Sequence, residues 1–308
     1  LIQDVDSTKD NYGNVSSSPE LININYYSGD PLNADWLHFN SINYNESLDQ
    51  IILSCHTFSE VWIIDHSTTT AEAATHSGGN SNKGGDLLYR WGNPQTYDQG
   101  TNSDQRLFKQ HDAYWIEDSL FDAGKIMIFN NQAGGQLVDY SEVNIIDPEI
   151  NNDGSYAYNG GAYGPNSFHW TYQASNPTDF FGKIISGAQR LPDGNTLICE
   201  GPTGRLFEVN YSGDIVWEYI NPVSNQGIVS QGTQIFMIMV FRCTIYSPSH
   251  PALVNRTLTP KGHIETGSTF NCDLYNTSNC LLYTSPSPRD QRGYGMRASG
   301  WKKKWGGG

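Results

Sequence analysis

Seven residues, Ser59 to Asp65 (SEVWIID), return as Ser141 to Asp147 (SEVNIID), 82 positions later and with one residue changed. The shared letters are strand-like, so the chain is built from a repeated β unit. Each copy sits in the same surroundings. Upstream of the first lie Leu37 to Tyr44, a turn at Glu46 to Asp49, and Gln50 to Cys55. Upstream of the second lie Asp112 to Ile116, a turn through Asp122 to Gly124, and Lys125 to Asn130. These segments are short, β-branched and aromatic, with period-two alternation and turn residues between them, which predicts an antiparallel meander. Leu87 to Trp91 and His169 to Gln173 supply a fourth strand to each set.

A third set has the same punctuation: Ala188 to Leu191, the turn Pro192-Asp193-Gly194-Asn195, Thr196 to Glu200, Arg205 to Asn210, the turn Ser212-Gly213-Asp214, and Ile215 to Tyr219. The closing strands carry Trp91, Trp170 and Trp217. Four-stranded units repeated along a chain, each with an aromatic landmark, predict an all-β protein of the β-propeller class. A sandwich is the alternative, but sandwiches rarely repeat a heptamer. A propeller closes with about four to eight blades, so three complete units predict a piece of a longer propeller. Leu1 is not preceded by Met, and no signal-peptide pattern opens the chain. Gln234 to Tyr246 is strand-like and is expected in a fourth unit.

The two ends differ in charge. Residues 1–279 carry 12 Lys or Arg against 31 Asp or Glu, whereas residues 280–308 carry six Lys or Arg and the single acid Asp290. The segment CLLYTSPSPRD, starting at Cys280, resembles a translated sequencing-library adapter, so residues 1–279 are expected to be the partial propeller and residues 280–308 a non-native tail. The acidic body argues against nucleic acid as a partner, and no apolar run reaches the length of a membrane span.

Cys55, Cys199, Cys243 and Cys272 are too few for a disulfide scaffold, and no C-x-x-C pair points to zinc. The chain has no P-loop, no G-x-G-x-x-G, no H-E-x-x-H and no G-x-S-x-G. The nearest calcium pattern, Glu149, Asn151, Asp153 and Gly154, meets Gly160 where its closing acid belongs, and reads as a surface turn. No metal and no cofactor are expected. What remains is histidine in step with the repeat. His38 in DWLHFNS opens the first meander and His111 in QHDAYW opens the second. First strands line a propeller's channel, so these two imidazoles are expected to be neighbours across it.

DWLHFNS followed by SEVWIID, QHDAYW followed by IMIFNN, and ISGAQRLPDGNTLICEG followed by RLFEV and VWEY resemble the bacterial aryl-sulfate sulfotransferases, a six-bladed propeller family. The resemblance runs from about Leu1 to Tyr275. It implies a secreted or periplasmic enzyme that moves a sulfuryl group from an aryl sulfate ester to a phenol, without a nucleotide sulfate donor. It also implies that His38 and His111 are catalytic. Two positions depart from the family pattern. Gly135 in FNNQAGG stands where the family has arginine after F-D-N-G-x-G, and Arg205 precedes LFEV where a nucleophilic histidine precedes L-F-D-V.

Arg205, Arg242 in VFRCTIY, Asn40 and His56 are therefore expected to bind the substrate, with either His111 or His38 as nucleophile. A strand-end role is the simpler reading of His56, and an ion pair with a carboxylate the simpler reading of Arg205. Two functions of different class stay open: the sulfotransferase, and a secreted non-catalytic propeller that holds a sulfated or acidic phenolic or glycan ligand through Arg205. A homodimer also stays open.

Overall fold

The three repeats fold as three four-stranded antiparallel meanders, each in simple chain order. The first blade is β1 (Phe39–Asn45), β2 (Gln50–Cys55), β3 (Glu60–Asp65) and β4 (Leu87–Trp91). The second is β5 (His111–Trp115), β6 (Ile126–Asn130), β7 (Glu142–Ile146) and β8 (Trp170–Tyr172). The third is β9 (Gly187–Arg190), β10 (Thr196–Glu200), β11 (Arg205–Val209) and β12 (Ile215–Ile220). A short hairpin, β13 (Val223–Ser224) and β14 (Gly227–Ile228), follows. This computed structural model describes residues 8, 15–24, 26, 35–135, 137–158, 160–230, 238–257, 259 and 264.

Central strands are buried on both faces because the blades stack on one another, and alternation decides which neighbour each residue meets. In β6, Ile126 and Ile128 enter a core with Ile52, Val61, Ile63 and Tyr89 of the first blade. Met127 and Phe129, one position out of phase, enter a second core with Ala188, Ile198, Phe207 and Val209 of the third. Each such side chain contributes about 1.5–3 kcal/mol by leaving water. A one-residue slip of β6 would exchange the two cores, so the register is strongly specified.

Two of the three predicted tryptophans seal the seams. Trp91 Nε1 donates to the Pro165 carbonyl at 2.9 Å, and Trp170 Nε1 donates to the Tyr211 carbonyl at 2.9 Å. Inner strands are stapled from side chain to backbone. Ser41 Oγ accepts from Ala113 N at 2.9 Å, Asp112 Oδ2 from Ala188 N at 3.1 Å, and Tyr114 Oη from Arg190 N at 3.0 Å.

Gln189 makes the next staple in the series: its Oε1 accepts from Ile245 N at 2.7 Å and its Nε2 donates to the Ile245 carbonyl at 3.0 Å. Residues 238–246 therefore lie where a fourth unit's first strand would begin. The described residues 238–246 form no strand, contrary to the expectation for Gln234 to Tyr246: their backbone bonds run singly to Ser186 and Gly201 and build no ladder. The rest of that expected strand, residues 234–237, and the whole 280–308 tail fall outside the described residues.

One position recurs in all three blades. The first residue of the third strand and the residue opposite the third strand's third position are both polar: they pair directly in the first and third blades and are bridged by Asn144 Nδ2 in the second. In the first blade these are Glu60 and Arg90, in the second Glu142 and Thr171, and in the third Arg205 and Glu218. The residue between them is Trp62, Asn144 or Phe207. Trp62 and Asn144 are the one difference within the repeated heptamer.

Candidate functional site

Three histidines form a row at the end of the molecule where β1 and β5 begin. The His38 and His56 rings are 4.7 Å apart between centroids, and the His56 and His111 rings 5.5 Å. Their approach comes from turns rather than from equivalent strand positions. His38 precedes β1, and its carbonyl accepts from His56 N at 3.3 Å. His111 is the first residue of β5 and pairs with Phe129. Val143 opposite Phe129 corresponds to Val61 opposite Ser54, so the counterpart of His111 in the first blade is Ser41, not His38. Bulges between Phe39 and Ser41, and between His111 and Tyr114, shift the register.

The environments differ along the row. His111 is 4% exposed, whereas the His38 side chain is 47% exposed at the rim. Burial pushes the His111 imidazole down to about 4, with His38 and Arg242 adding to it against hydrogen bonds from Asn131 and the Lys109 carbonyl. Burial pushes His56 down to about 3, helped by the charge of Lys109. Both rings are therefore neutral at neutral pH. His38 Nδ1 is hydrogen-bonded to Asp35 Oδ2.

Arg242 reaches the row from the 238–246 segment. Its Nη1 pairs with Asp112 Oδ1 at 2.9 Å, and its Nη2 donates to the Asn40 carbonyl at 3.3 Å. Asn40 Nδ2 donates to the Gln110 carbonyl at 2.7 Å. Arg242 Nε, Asn40 Oδ1 and Gln110 Oε1 are buried without a hydrogen-bond partner among the described residues. Orphaned polar atoms of this kind ordinarily carry an energetic penalty. Burial raises Asp112 to about 6, against the pull of Arg242.

Several residues here were not singled out in the sequence. Lys109 is half-buried, makes no ion pair among the described residues, and is held below the usual lysine range by burial. Its φ is 57°, and His38, Ser59, Asp112, Ile185 and Ser186 share the left-handed region at 49°, 57°, 57°, 48° and 81°. Each such residue costs on the order of 1–3 kcal/mol, and strain of this kind gathers at functional sites. Asn131 and Ser141 lie just behind His111. The signal for Lys109 and Asn131 was weak, since each is one polar residue in a turn.

Arg205 stands apart from the row. Its Nε donates to Glu218 Oε1 at 2.6 Å and its Nη1 pairs with Glu200 Oε2 at 3.3 Å, while its guanidinium lies 4.3 Å from the Phe207 ring centroid. Gly135 occupies a left-handed turn with φ 64° beside Phe108, so no cation reaches the row from that position. A cavity of about 470 Å³ opens at the far ends of β1 and β5, lined by residues 43–47 and 115–118. Its lining includes Glu46, Glu117 and Asp118 and no Lys, Arg or His, which suits an anionic ester poorly.

A family model described as arylsulfotransferase (ASST) matches residues 22–231. No curated protein matches the chain. Among solved structures, virginiamycin B lyase from Staphylococcus aureus is 12% identical, over 65% of this chain and 47% of that one, with a TM-score of 0.31. A Bacteroides caccae protein of unknown function is 11% identical over 63% of this chain and 65% of its own, with a TM-score of 0.26. A streptogramin B lyase is 13% identical over 61% of this chain and 60% of its own, with a TM-score of 0.28. The chain thus spans about half the length of the first of these and less than two thirds of the others.

Proposed function

Since the chain belongs to the arylsulfotransferase family, we propose that it transfers a sulfuryl group from an aryl sulfate ester to a phenol through the histidine row, with His111 as nucleophile. The observation that carries this reading is the pairing of a neutral, buried His111 with an exposed His38 bound to Asp35. One imidazole keeps its lone pair and the other handles protons.

Sulfuryl transfer resembles phosphoryl transfer in spreading charge over peripheral oxygens in a loose transition state, so cations and N–H donors matter most. Arg242 and Lys109 supply the positive field, and the unpartnered Arg242 Nε is a donor for a sulfate oxygen. His56 is neutral and adds no charge of its own. In the first half-reaction the Nε2 lone pair of His111 attacks sulfur, the sulfur–oxygen bond to the aryl group breaks, and the leaving oxygen takes a proton from protonated His38. In the second, His38 removes the acceptor's phenolic proton, that oxygen attacks sulfur, and the sulfur–nitrogen bond breaks. The resemblance also supports a secreted or periplasmic location, which fractionation of the native host would test.

The assay is release of phenol from a chromogenic aryl sulfate, with and without an acceptor phenol. Acceptor-dependent turnover with parallel double-reciprocal plots is expected, together with a sulfuryl mass increment on the His111 peptide when acceptor is withheld. His111→Ala is expected to lower turnover by about 10³-fold or more. Because protonation at Nε2 removes the lone pair, kcat/KM should fall as pH drops through about 4. Unchanged turnover in His111→Ala sinks the reading.

A further inference from the structure

Behind His111 lies a polar group with no freedom left. Asn131 is fully buried in the turn after β6. Its Nδ2 donates to the Gly182 carbonyl at 2.6 Å and to the Ile185 carbonyl at 2.8 Å. Carbonyls only accept, so these two bonds use both amide hydrogens and fix which way the amide faces. Oδ1 is then directed at His111 Nδ1, 2.8 Å away, with the Lys109 carbonyl a second acceptor at 3.2 Å. A ring nitrogen facing two acceptors must carry the hydrogen, which leaves the lone pair of the neutral ring on Nε2.

The amide is itself braced. The backbone carbonyl of Asn131 accepts from Ser141 Oγ at 2.6 Å, and that hydroxyl accepts from Gly182 N at 2.9 Å. Ser141 N donates to the Phe180 carbonyl at 2.8 Å. Moving Asn131 would therefore disturb the start of β7 and the approach to β9 together.

We infer that Asn131 is a positioning residue: it locks His111 in the tautomer with hydrogen on Nδ1 and presents Nε2 for sulfuryl transfer. The inference rests on the sulfotransferase reading for its chemical meaning, but the tautomer is a property of the protein alone. An amide suits the task better than a carboxylate. Asp at this position would set an oxygen against the Gly182 and Ile185 carbonyls, which only accept, whereas the Asn amide donates to both and still accepts from Nδ1. The remaining charged and titratable groups facing His111 are His38, His56, Lys109 and Arg242, with Asp112 occupied by Arg242. None of these replaces the acceptor at Nδ1.

The test is two-bond ¹⁵N–¹H correlation on ¹⁵N-histidine protein, with His111 assigned by its loss in His111→Gln. Wild type should show the Nδ1–H form. Asn131→Ala should give a mixed tautomer and lower kcat on the order of 10-fold or more, with KM within about twofold.

An Nε2–H ring in wild type, or a tautomer ratio in Asn131→Ala equal to that of wild type, overturns the inference. If Asn131→Ala does not fold, the wild-type tautomer decides. The expected tautomers without any aryl-sulfate turnover would overturn the enzymatic reading and leave the lock standing.

Discussion

The first and third blades solve one packing problem with opposite charges. In the first, Glu60 begins the third strand and Arg90 answers from the fourth, with both side chains fully buried. Arg90 Nε and Nη2 grip the carboxylate at 3.0 and 2.6 Å, and its remaining hydrogens go to the Pro19 and Leu21 carbonyls and to Thr96 Oγ1. In the third, Arg205 begins the strand and Glu218 answers, 17% and 10% exposed. The aromatic side chain between each pair, Trp62 or Phe207, lies 5.9 or 4.3 Å from the guanidinium. The position asks for a cross-strand polar pair beside a ring and is indifferent to which strand supplies the cation. Arg205, which the sequence suggested for substrate, is the mirror image of a scaffold residue.

Substitutions can break or sharpen that comparison. The largest expected effect is in the first blade. Arg90→Ala strands a fully buried carboxylate and should destabilise by about 3–5 kcal/mol in urea melts followed by tryptophan fluorescence. Arg205→Ala removes the looser pair and should cost about 1–2 kcal/mol, less than Arg90→Ala because water reaches the carboxylates left behind. Its turnover per folded molecule should stay within about twofold, whereas loss of a transition-state donor costs on the order of 100-fold. A loss of that size in a folded Arg205→Ala would return Arg205 to the site and end the comparison.

The smallest effect belongs to the second blade, where Glu142 has Asn144 Nδ2 at 3.0 Å and, among the described residues, no cation. Burial holds Glu142 above its ordinary value of 4.5. A folded-state value above the unfolded one means stability that is present at low pH and lost as pH rises through the folded value. Glu142→Gln should remove that loss, so the variant should gain stability relative to wild type from about pH 5 upward. Equal slopes of stability against pH would show the carboxylate to be better satisfied than its surroundings suggest.

Local chemistry was legible where alternation and turn residues did the work. Strands β2, β4 and β10 begin and end where the sequence placed them, because each apolar run is bounded by turn-forming residues. The convergence of His38, His56, His111, Asn40 and Arg242 was partly legible, since the order of DWLHFNS and QHDAYW set His38, Asn40 and His111 at the starts of successive units. Register was not. The apparent equivalence of His38 and His111 ignored two bulges, and bulges leave no mark in a hydrophobic pattern. Arg205 could not be separated from a ligand-binding arginine without the pairing that sets Glu218 thirteen positions away beside it. Asn131 was invisible because its importance lies in three partners from two distant segments.

The seam staples carry a consequence for how such a chain can have arisen. Ser41, Asp112 and Gln189 are chemically unlike, yet each bonds the backbone of the following unit. A backbone amide is present whatever residue sits there, so the receiving unit is released from any duty to keep a matching side chain. A gene encoding one blade could be duplicated and its copies left to drift apart in sequence, with neighbours still recognising one another, which leaves inner-strand residues such as His111 open to selection for chemistry.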